Sequence, residues 1–85
     1  MSKPTQKMAD GFEAVVSSNL HSAKYDDGAI VVRFQNGTAY RYPACDEKLW
    51  KDFRSQFDGK AGRSAGKFLY AQLKPKAYEK LDDWK

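Results

Sequence analysis

A β-hairpin signal dominates the sequence between residues 30 and 42. Apolar residues occupy alternate positions at Ile30, Val32 and Phe34, the pair Asn36-Gly37 follows, and aromatic and polar residues alternate in the triplet Tyr40-Arg41-Tyr42. An Asn-Gly pair between two such runs is a strong local signal for a tight turn between antiparallel strands. Because side chains alternate between the two faces of a strand, the length of this turn decides which face carries the two tyrosines.

Two registers are compatible with this hairpin. A two-residue turn pairs Arg33 with Tyr40 and leaves both faces mixed, whereas a three-residue loop pairs Val32 with Tyr40 and gathers the large apolar side chains on one face. A small domain needs one dominant apolar face, since burial of each large side chain contributes roughly 1.5 to 3 kcal/mol. We therefore predict the three-residue loop. It places Tyr40 and Tyr42 mainly in the core and Arg33 and Arg41 on an exposed basic face.

A second turn signal, Asp27-Gly28, precedes the hairpin. A two-residue loop at this pair sets Tyr25 opposite Ile30 and predicts another strand before the turn. With a short strand or lead-in over residues 12–17, the sequence predicts a small antiparallel sheet of three to four strands.

Helical patterns follow the hairpin. Beyond Pro43 the apolar period changes from two residues to about 3.6, the period of an α-helix. Asp46 and Ser64 are of the residue types that cap helix starts, and an apolar stripe follows each of them. We predict an α+β fold in which two helices, or three if the C-terminal residues add one, pack on one face of the sheet. The predicted inward residues are Leu49, Trp50, Phe53 and Phe57 in the first helix, and Ala65, Phe68, Leu69 and Leu73 in the second.

The chain is predicted to hold one domain. Residues 1–10 are polar and form a flexible start, residues 11–74 form the domain, and residues 75–85 form a tail or a short helix. No apolar run approaches 18 residues, and the start of the chain lacks the apolar segment of a signal peptide. A single cysteine, Cys45, also fits a reducing compartment, so we expect a cytoplasmic location.

Several short motifs taken together resemble the KTSC domain. They are residues 16–20 (Val-Ser-Ser-Asn-Leu), the pair Tyr25-Asp26, residues 34–37, the triplet at 40–42, and residues 64–68 (Ser-Ala-Gly-Lys-Phe). Their order and spacing agree with that family over about residues 15–74. The domain takes its name from the C-terminus of some lysyl-tRNA synthetases and also occurs alone in bacterial and phage proteins. The resemblance implies the same small fold and, through the association with a synthetase, RNA binding.

Basic residues are concentrated in one segment. The chain has 15 Lys and Arg against 11 Asp and Glu, and residues 59–76 contain five bases and no acid. A surface of this kind binds phosphates, or else it is only a solvated face that keeps a small protein soluble. The predicted outer sheet face adds three more cationic positions. We predict that the nucleic-acid-binding residues are Lys24, Arg33, Arg41, Lys60, Arg63, Ser64 and Lys67.

The glycine-rich segment at residues 59–67 is not a nucleotide-hydrolysis loop. It lacks one residue of the P-loop spacing and has Phe68 where that loop needs Ser or Thr. The prediction that remains is a seat for one phosphate at the helix start beside Ser64, with Arg63 and Lys67 next to it. The alternative is that Ser64 only caps the helix.

The sequence predicts no catalytic residues, no metal site and no cofactor. His21 and Cys45 are the only residues of their types, so a cysteine-rich zinc site within one chain is excluded. A His21–Cys45 nucleophile pair requires that the fold join the two residues. Paired carboxylates at Asp26-Asp27 and Asp46-Glu47 are explained by a turn and a helix start.

We therefore expect a small non-catalytic binding module whose partner is nucleic acid, RNA foremost. In this prediction Tyr40 or Tyr42 stacks on bases only in the two-residue register. The alternative is a protein-binding module or a phage-type inhibitor of a host protein, which uses the tail around Trp84 or an exposed sheet edge. Steep salt dependence of binding distinguishes the two classes.

Overall fold

In the computed structural model, the residues that the structure describes form an antiparallel sheet of five strands that carries two helices on one face. The structure describes residues 11–60, 62–73 and 76–84, so the predicted flexible start at residues 1–10 lies outside it. The strands, which follow one another in the sheet in chain order, are β1 (Glu13–Ala14), β2 (Leu20–Asp26), β3 (Ala29–Phe34), β4 (Ala39–Tyr42) and β5 (Glu79–Lys80). The predicted α+β fold is confirmed, but the sheet has five strands rather than three to four.

The fifth strand comes from the segment at residues 75–85 that the sequence predicted to be a tail or a short helix. β5 pairs antiparallel with β4. The pairing extends beyond β5, because the amide of Leu81 donates to the carbonyl of Ala39 (2.9 Å) and the amide of Trp84 donates to the carbonyl of Gly37 (3.0 Å). This segment forms a strand rather than a helix because its backbone then makes hydrogen bonds with the polar backbone groups along the edge of β4.

The β3–β4 hairpin has the predicted three-residue register. Val32 lies opposite Tyr40, and Ile30 lies opposite Tyr42. Gly37 has a φ of 100°, the left-handed conformation that this loop requires. Ile30, Val32, Tyr40 and Tyr42 therefore share one face.

The β2–β3 turn also has the predicted length. Tyr25 pairs with Ile30 across it. Asp27 and Gly28 have φ values of 48° and 82°, as the two central positions of a type I′ turn require. Asp is among the few side chains that tolerate this conformation.

The first helix, α1 (Glu47–Arg54), begins where the change of period predicts it. Asp46 caps it through Oδ1, which accepts a hydrogen bond from the amide of Leu49 (2.8 Å). Its buried side chains are Trp50 and Phe53. In the part of the chain that the structure describes, no helix is long and apolar enough to cross a membrane.

The second helix changes its winding along its length. α2 (Ala65–Phe68) starts after Ser64, whose Oγ accepts a backbone amide of the first turn at 3.2 Å. It continues as a π-helical segment, Leu69–Leu73, which leaves Tyr70 exposed on the outside of the helical layer. The predicted end of this helix at Lys74 lies outside the described residues.

The core lies between the helices and the face of the sheet that they cover, which we call the inner face. Phe53 is fully buried, and its ring contacts those of Phe57 and Phe68 at centroid distances of 4.8 and 5.5 Å. Burial of Trp50, Phe53 and Leu69 confirms the prediction for these three, whereas Phe68 is only half-buried. The inner face contributes Ala23, Ile30, Val32 and Tyr42 to the same cluster.

The opposite face, called the outer face, is not the exposed basic surface that the sequence predicted. Val31 and Ala39 on this face are only 5% and 4% exposed. Segments at the two ends of the described chain cover it: the Arg33 guanidinium lies 3.7 Å from the ring centroid of Phe12 and 5.5 Å from that of Trp84. A guanidinium is planar and weakly hydrated, so it stacks on aromatic rings rather than staying in water.

Candidate nucleic-acid interface

The seven predicted nucleic-acid-binding residues fall into two separate groups. Lys24, Arg33 and Arg41 project from the outer face of the sheet. Lys60, Arg63, Ser64 and Lys67 lie between the end of α1 and the middle of α2. The first group therefore belongs to the sheet, and the second belongs to the connection between the helices and the start of the second helix.

The outer-face cations interact with the terminal segments. Lys24 Nζ lies 4.9 Å from the centroid of the Phe12 ring, the same ring that the Arg33 guanidinium contacts. Arg41 Nη1 donates to Glu79 Oε1 at 2.8 Å, which ties β4 to β5. These contacts hold Phe12 and β5 against the sheet.

Three members of the second group, Arg63, Ser64 and Lys67, line an open cleft of about 360 Å³, which we call the cationic cleft. The fourth member, Lys60, is exposed but does not line this cleft. One wall is the loop between β1 and β2, and the other is the start of α2. The residues that line it are Val16, Ser17, Ser18, Asn19, Gly59, Arg63, Ser64, Gly66, Lys67 and Tyr70.

Local hydrogen bonds fix the shape of the first wall. Ser17 Oγ accepts the amide N–H groups of Asn19 and Leu20, both at 3.1 Å, which closes the loop in front of β2. Val16 donates its own amide to the carbonyl of Phe57 (2.7 Å). Gly59, with a φ of 64°, allows the chain to approach Val16, since a Cβ there would come within 3.1 Å of Val16 Cγ1.

Polar side-chain atoms from both walls converge at Gly66. A Cβ at that position would lie 3.9 Å from Ser17 Oγ, from Asn19 Nδ2 and from Ser64 Oγ. Hydroxyl and amide groups gathered in this way donate hydrogen bonds to an oxygen-rich ligand. The cleft thus has neutral donors on its floor and cations on its rim.

Asp58 orients one of those cations. Arg63 donates through Nε and Nη2 to the two carboxylate oxygens of Asp58, each at 3.0 Å. A hydrogen bond from the backbone amide of Lys60, followed by the one from Arg63, holds the pKa of Asp58 below its usual value. The carboxylate is therefore ionised and offsets part of the Arg63 charge.

Lys67 supplies the most available positive charge at the cleft. Its side chain is exposed and makes no ion pair with the residues that the structure describes. The backbone amide of Lys67, however, donates a hydrogen bond to Ser64 Oγ (3.2 Å). This amide is therefore not open to a phosphate, as the predicted phosphate seat required.

The cationic cleft continues past Tyr70 into a groove of about 270 Å³ that we call the aromatic groove. A smaller cleft of about 250 Å³, which Ser18, Asn19 and Tyr70 share with the cationic cleft, lies between them. The aromatic groove is lined by Phe34, Asn36, Thr38, Tyr40, Tyr42, Leu69, Tyr70 and Tyr78.

The rings in this groove form a connected set. Tyr40 contacts Phe34 and Tyr78 edge to face, with centroid distances of 5.5 and 5.4 Å. Tyr42 is buried beneath them, and this burial, together with the neighbouring tyrosines, raises its pKa to about 12. The prediction that both tyrosines of the 40–42 triplet lie beneath the helices is confirmed for Tyr42 and wrong for Tyr40, which is half-buried and lines an open groove.

The sequence prediction missed Tyr70, Tyr78 and Val16 as candidate site residues. One signal was present: Tyr70 lies off the inward stripe of the second helix, so a helix there places a large aromatic ring on the outside. No local pattern marked Tyr78, because its position depends on the pairing of β5 with β4.

His21 and Cys45 do not form a pair in this fold. His21 Nδ1 hydrogen-bonds with Ser22 Oγ (3.0 Å), and its ring contacts that of Trp84 at 4.4 Å on the outer face. Cys45 belongs to the core cluster, and burial raises the pKa of its thiol, which disfavours the reactive thiolate. Over residues 11–60, 62–73 and 76–84, no three His, Cys, Asp or Glu side chains group as a metal site would require.

A five-stranded antiparallel sheet with two helices on one face, bordered by these clefts, defines a small α+β domain. The sequence model of the KTSC domain matches residues 16–78. Because this match covers most of the 85 residues, the chain belongs to the KTSC domain family. A search of curated proteins found no match. The matched segment starts at Val16 in the cationic cleft and ends at Tyr78 in the aromatic groove.

Proposed function

We propose that this protein is a non-catalytic module that binds nucleic acid, RNA foremost, through the cationic cleft. The observation that carries the proposal is the convergence of three neutral polar side chains at Gly66, with Arg63 and Lys67 on the rim of the same cleft. Phosphate groups are bound by this combination of cations and hydrogen-bond donors.

The two cations have complementary roles in this proposal. Lys67 contributes a mobile point charge. Arg63 uses two of its N–H groups on Asp58, and the guanidinium has five in all, so donors remain for a phosphate oxygen. Asp58 holds the guanidinium in a fixed orientation, which reduces the entropy lost on binding.

RNA is the expected nucleic acid for two reasons. The family takes its name from a domain of some lysyl-tRNA synthetases, whose substrate is RNA. In addition, the hydroxyl and amide groups of Ser17, Ser18 and Asn19 line the cleft and are suited to a ligand that carries 2′-hydroxyl groups.

A matched pair of charge reversals tests the proposal. Lys67→Glu and Lys51→Glu each change the net charge by two, and both side chains are exposed, but only Lys67 lines the cleft. We expect Lys67→Glu to weaken binding of a fluorescein-labelled single-stranded RNA about tenfold or more, and to reduce the slope of log affinity against log salt by about one. Lys51→Glu should change the affinity by less than about twofold, because it alters only a distant, screened charge.

Combining Lys67→Glu with Arg63→Glu should abolish the binding while the fold is retained, since both positions flank the buried stripe of the second helix. Fluorescence anisotropy at two salt concentrations, with circular dichroism of each variant, measures both effects. Absence of salt-dependent RNA affinity in the wild type, or equal affinities for the two single variants, would contradict the proposal. The protein-binding alternative would then be the better explanation.

A further inference from the structure

We infer that the aromatic groove stacks unpaired bases of the strand whose phosphates occupy the cationic cleft, so that the protein selects single-stranded over double-stranded nucleic acid. This inference rests on the proposed function and adds to it the part of the ligand that is recognised. The surface that carries it runs from Val16 past Tyr70 to Tyr78.

The exposed apolar side chains are not scattered over the described residues. Val16, Tyr70 and Tyr78 are the large hydrophobic side chains that remain exposed there, at 60%, 51% and 57%. Each of them lines either the cationic cleft or the aromatic groove, and Tyr70 lines both. Single exposed apolar residues are normal on any protein, but a contiguous set marks a binding surface.

The arrangement of the rings suits stacking. Tyr78 contacts the rings of Tyr40 and Tyr42 at interplanar angles of 86° and 46°, so it takes part in no parallel stack with another described ring. The buried Tyr42 supports Tyr78 from below, which fixes its orientation in advance. A fixed, exposed aromatic ring is the platform on which single-stranded nucleic acids place their bases.

The groove also has polar groups that suit base edges. Asn36 Oδ1 accepts hydrogen bonds from the backbone amide (3.0 Å) and the hydroxyl (2.8 Å) of Thr38, which fixes the Asn36 side chain at the border of the groove. Its Nδ2 donates to no other residue in the described part of the chain. An amide held in this way is suited to a base edge that is not already engaged in pairing.

Charge selects this ligand over a proline-rich peptide, which tyrosine-lined grooves also bind. Tyr70 and the loop at Ser18-Asn19 join the aromatic groove to the rim that carries Lys67. A ligand that spans both parts therefore combines flat rings with negative charge. A duplex does not meet this requirement, because its bases are stacked on one another and paired.

Two oligomers of equal length and charge test the inference: a single-stranded oligouridylate and the matching abasic sugar–phosphate strand. We expect the wild type to bind the oligouridylate about 5- to 150-fold more tightly than the abasic strand, which corresponds to the usual contribution of stacking one base. Tyr70→Ala and Tyr78→Ala should each reduce this preference by several-fold. Because Tyr78 lies outside the cationic cleft, Tyr78→Ala should also leave the affinity for the abasic strand within about twofold. Tyr70→Phe and Tyr78→Phe should retain the preference, because the ring is kept.

The outcomes separate the inference from the proposed function. Equal affinities of the wild type for the two strands, or a preference unaffected by both alanine variants, would overturn base stacking in this groove while the phosphate site stands. Binding of neither strand would overturn the proposed function and the inference together. A duplex RNA of the same length that binds as tightly as the oligouridylate would also overturn the inference. Thermal unfolding of each variant controls for the fold, which should be unchanged since both tyrosines are more than half exposed.

Discussion

The two faces of the sheet are closed in different ways. On the inner face, α1, α2 and the π-helical segment bury most of the aliphatic and aromatic side chains, with Phe53 at the centre. On the outer face, segments from the two ends of the described chain place the rings of Phe12 and Trp84 against the Arg33 guanidinium. The inner face is a hydrophobic core, and the outer face is a set of cation–aromatic contacts.

This difference indicates which face of the sheet contributes most to the free energy of unfolding. Truncation of a core aromatic residue commonly costs about 3 to 5 kcal/mol. A cation–aromatic contact contributes roughly 0.5 to 2 kcal/mol, depending on how well it is desolvated. We therefore expect the inner face to set the global stability, while the outer face keeps the two ends of the described chain in place.

The largest expected effect is that of Phe53→Ala. Phe53 is fully buried among Phe57, Phe68 and Trp50, so we expect a loss of about 3 to 5 kcal/mol in the free energy of unfolding, measured by urea denaturation. Phe12→Ala is the matched change on the outer face. It should cost clearly less, because a two-residue strand can detach locally instead of leaving a cavity. Equal losses of unfolding free energy for the two variants would contradict the expected difference between the two faces.

Ionisation of Tyr42 tests whether water is excluded from the inner face. Its pKa of about 12 in the folded state lies above the ordinary value of 10, so the unfolded chain releases this proton first. The stabilising contribution is complete below pH 10 and is lost as the pH rises from 10 to 12, by about 2 kcal/mol. Stability against pH should therefore fall less steeply in Tyr42→Phe than in the wild type. Identical slopes over this range would show that water reaches the Tyr42 hydroxyl.

Trp84→Ala tests the outer face directly. Trp84 contacts the ring of His21 and the guanidinium of Arg33. Its Nε1 donates a hydrogen bond to the carbonyl of Phe34 at 2.9 Å. We expect a loss of about 1 to 2 kcal/mol from these contacts. Amide exchange should accelerate at Leu81, which pairs β5 with the sheet, while the helices keep their protection. Faster exchange throughout α1 would instead make the outer face part of the global core.

The smallest expected effect is at the ion pair between Arg41 and Glu79. Both side chains are partly solvated, so Glu79→Gln should change the free energy of unfolding by less than about 0.5 kcal/mol. Glu13→Gln is the counterpart on the inner face, where a largely buried carboxylate accepts a hydrogen bond from Arg54 Nε at 2.7 Å. It should cost at least about 1 kcal/mol. Thermal denaturation at low and high salt measures both, and a larger effect at Glu79 would reverse the expected order.

The features that could be predicted from the sequence are those that depend on neighbouring residues. Asp27-Gly28 predicted the length of its turn, because few residue types accept a positive φ. At Asn36-Gly37, where two turn lengths were compatible, the need for one apolar face selected the pairing of Tyr40 with Val32. Asp46 and Ser64 likewise fixed the helix starts, since the cap and its amide partner are three residues apart. In the candidate site, the same local patterns identified Arg63, Ser64 and Lys67.

Contacts between segments that are distant in the sequence could not be predicted in this way. The hydrogen bond from Trp84 to Phe34 spans 50 positions, and the ion pair of Arg41 with Glu79 spans 38. Such partners depend on the packing of the whole chain. The entropy lost when a long connection is closed is offset only when several contacts form together. The prediction of an exposed basic sheet face failed for this reason, because distant segments cover that face in the fold. The exposed apolar side chains lie instead beside the groove at Tyr70 and Tyr78.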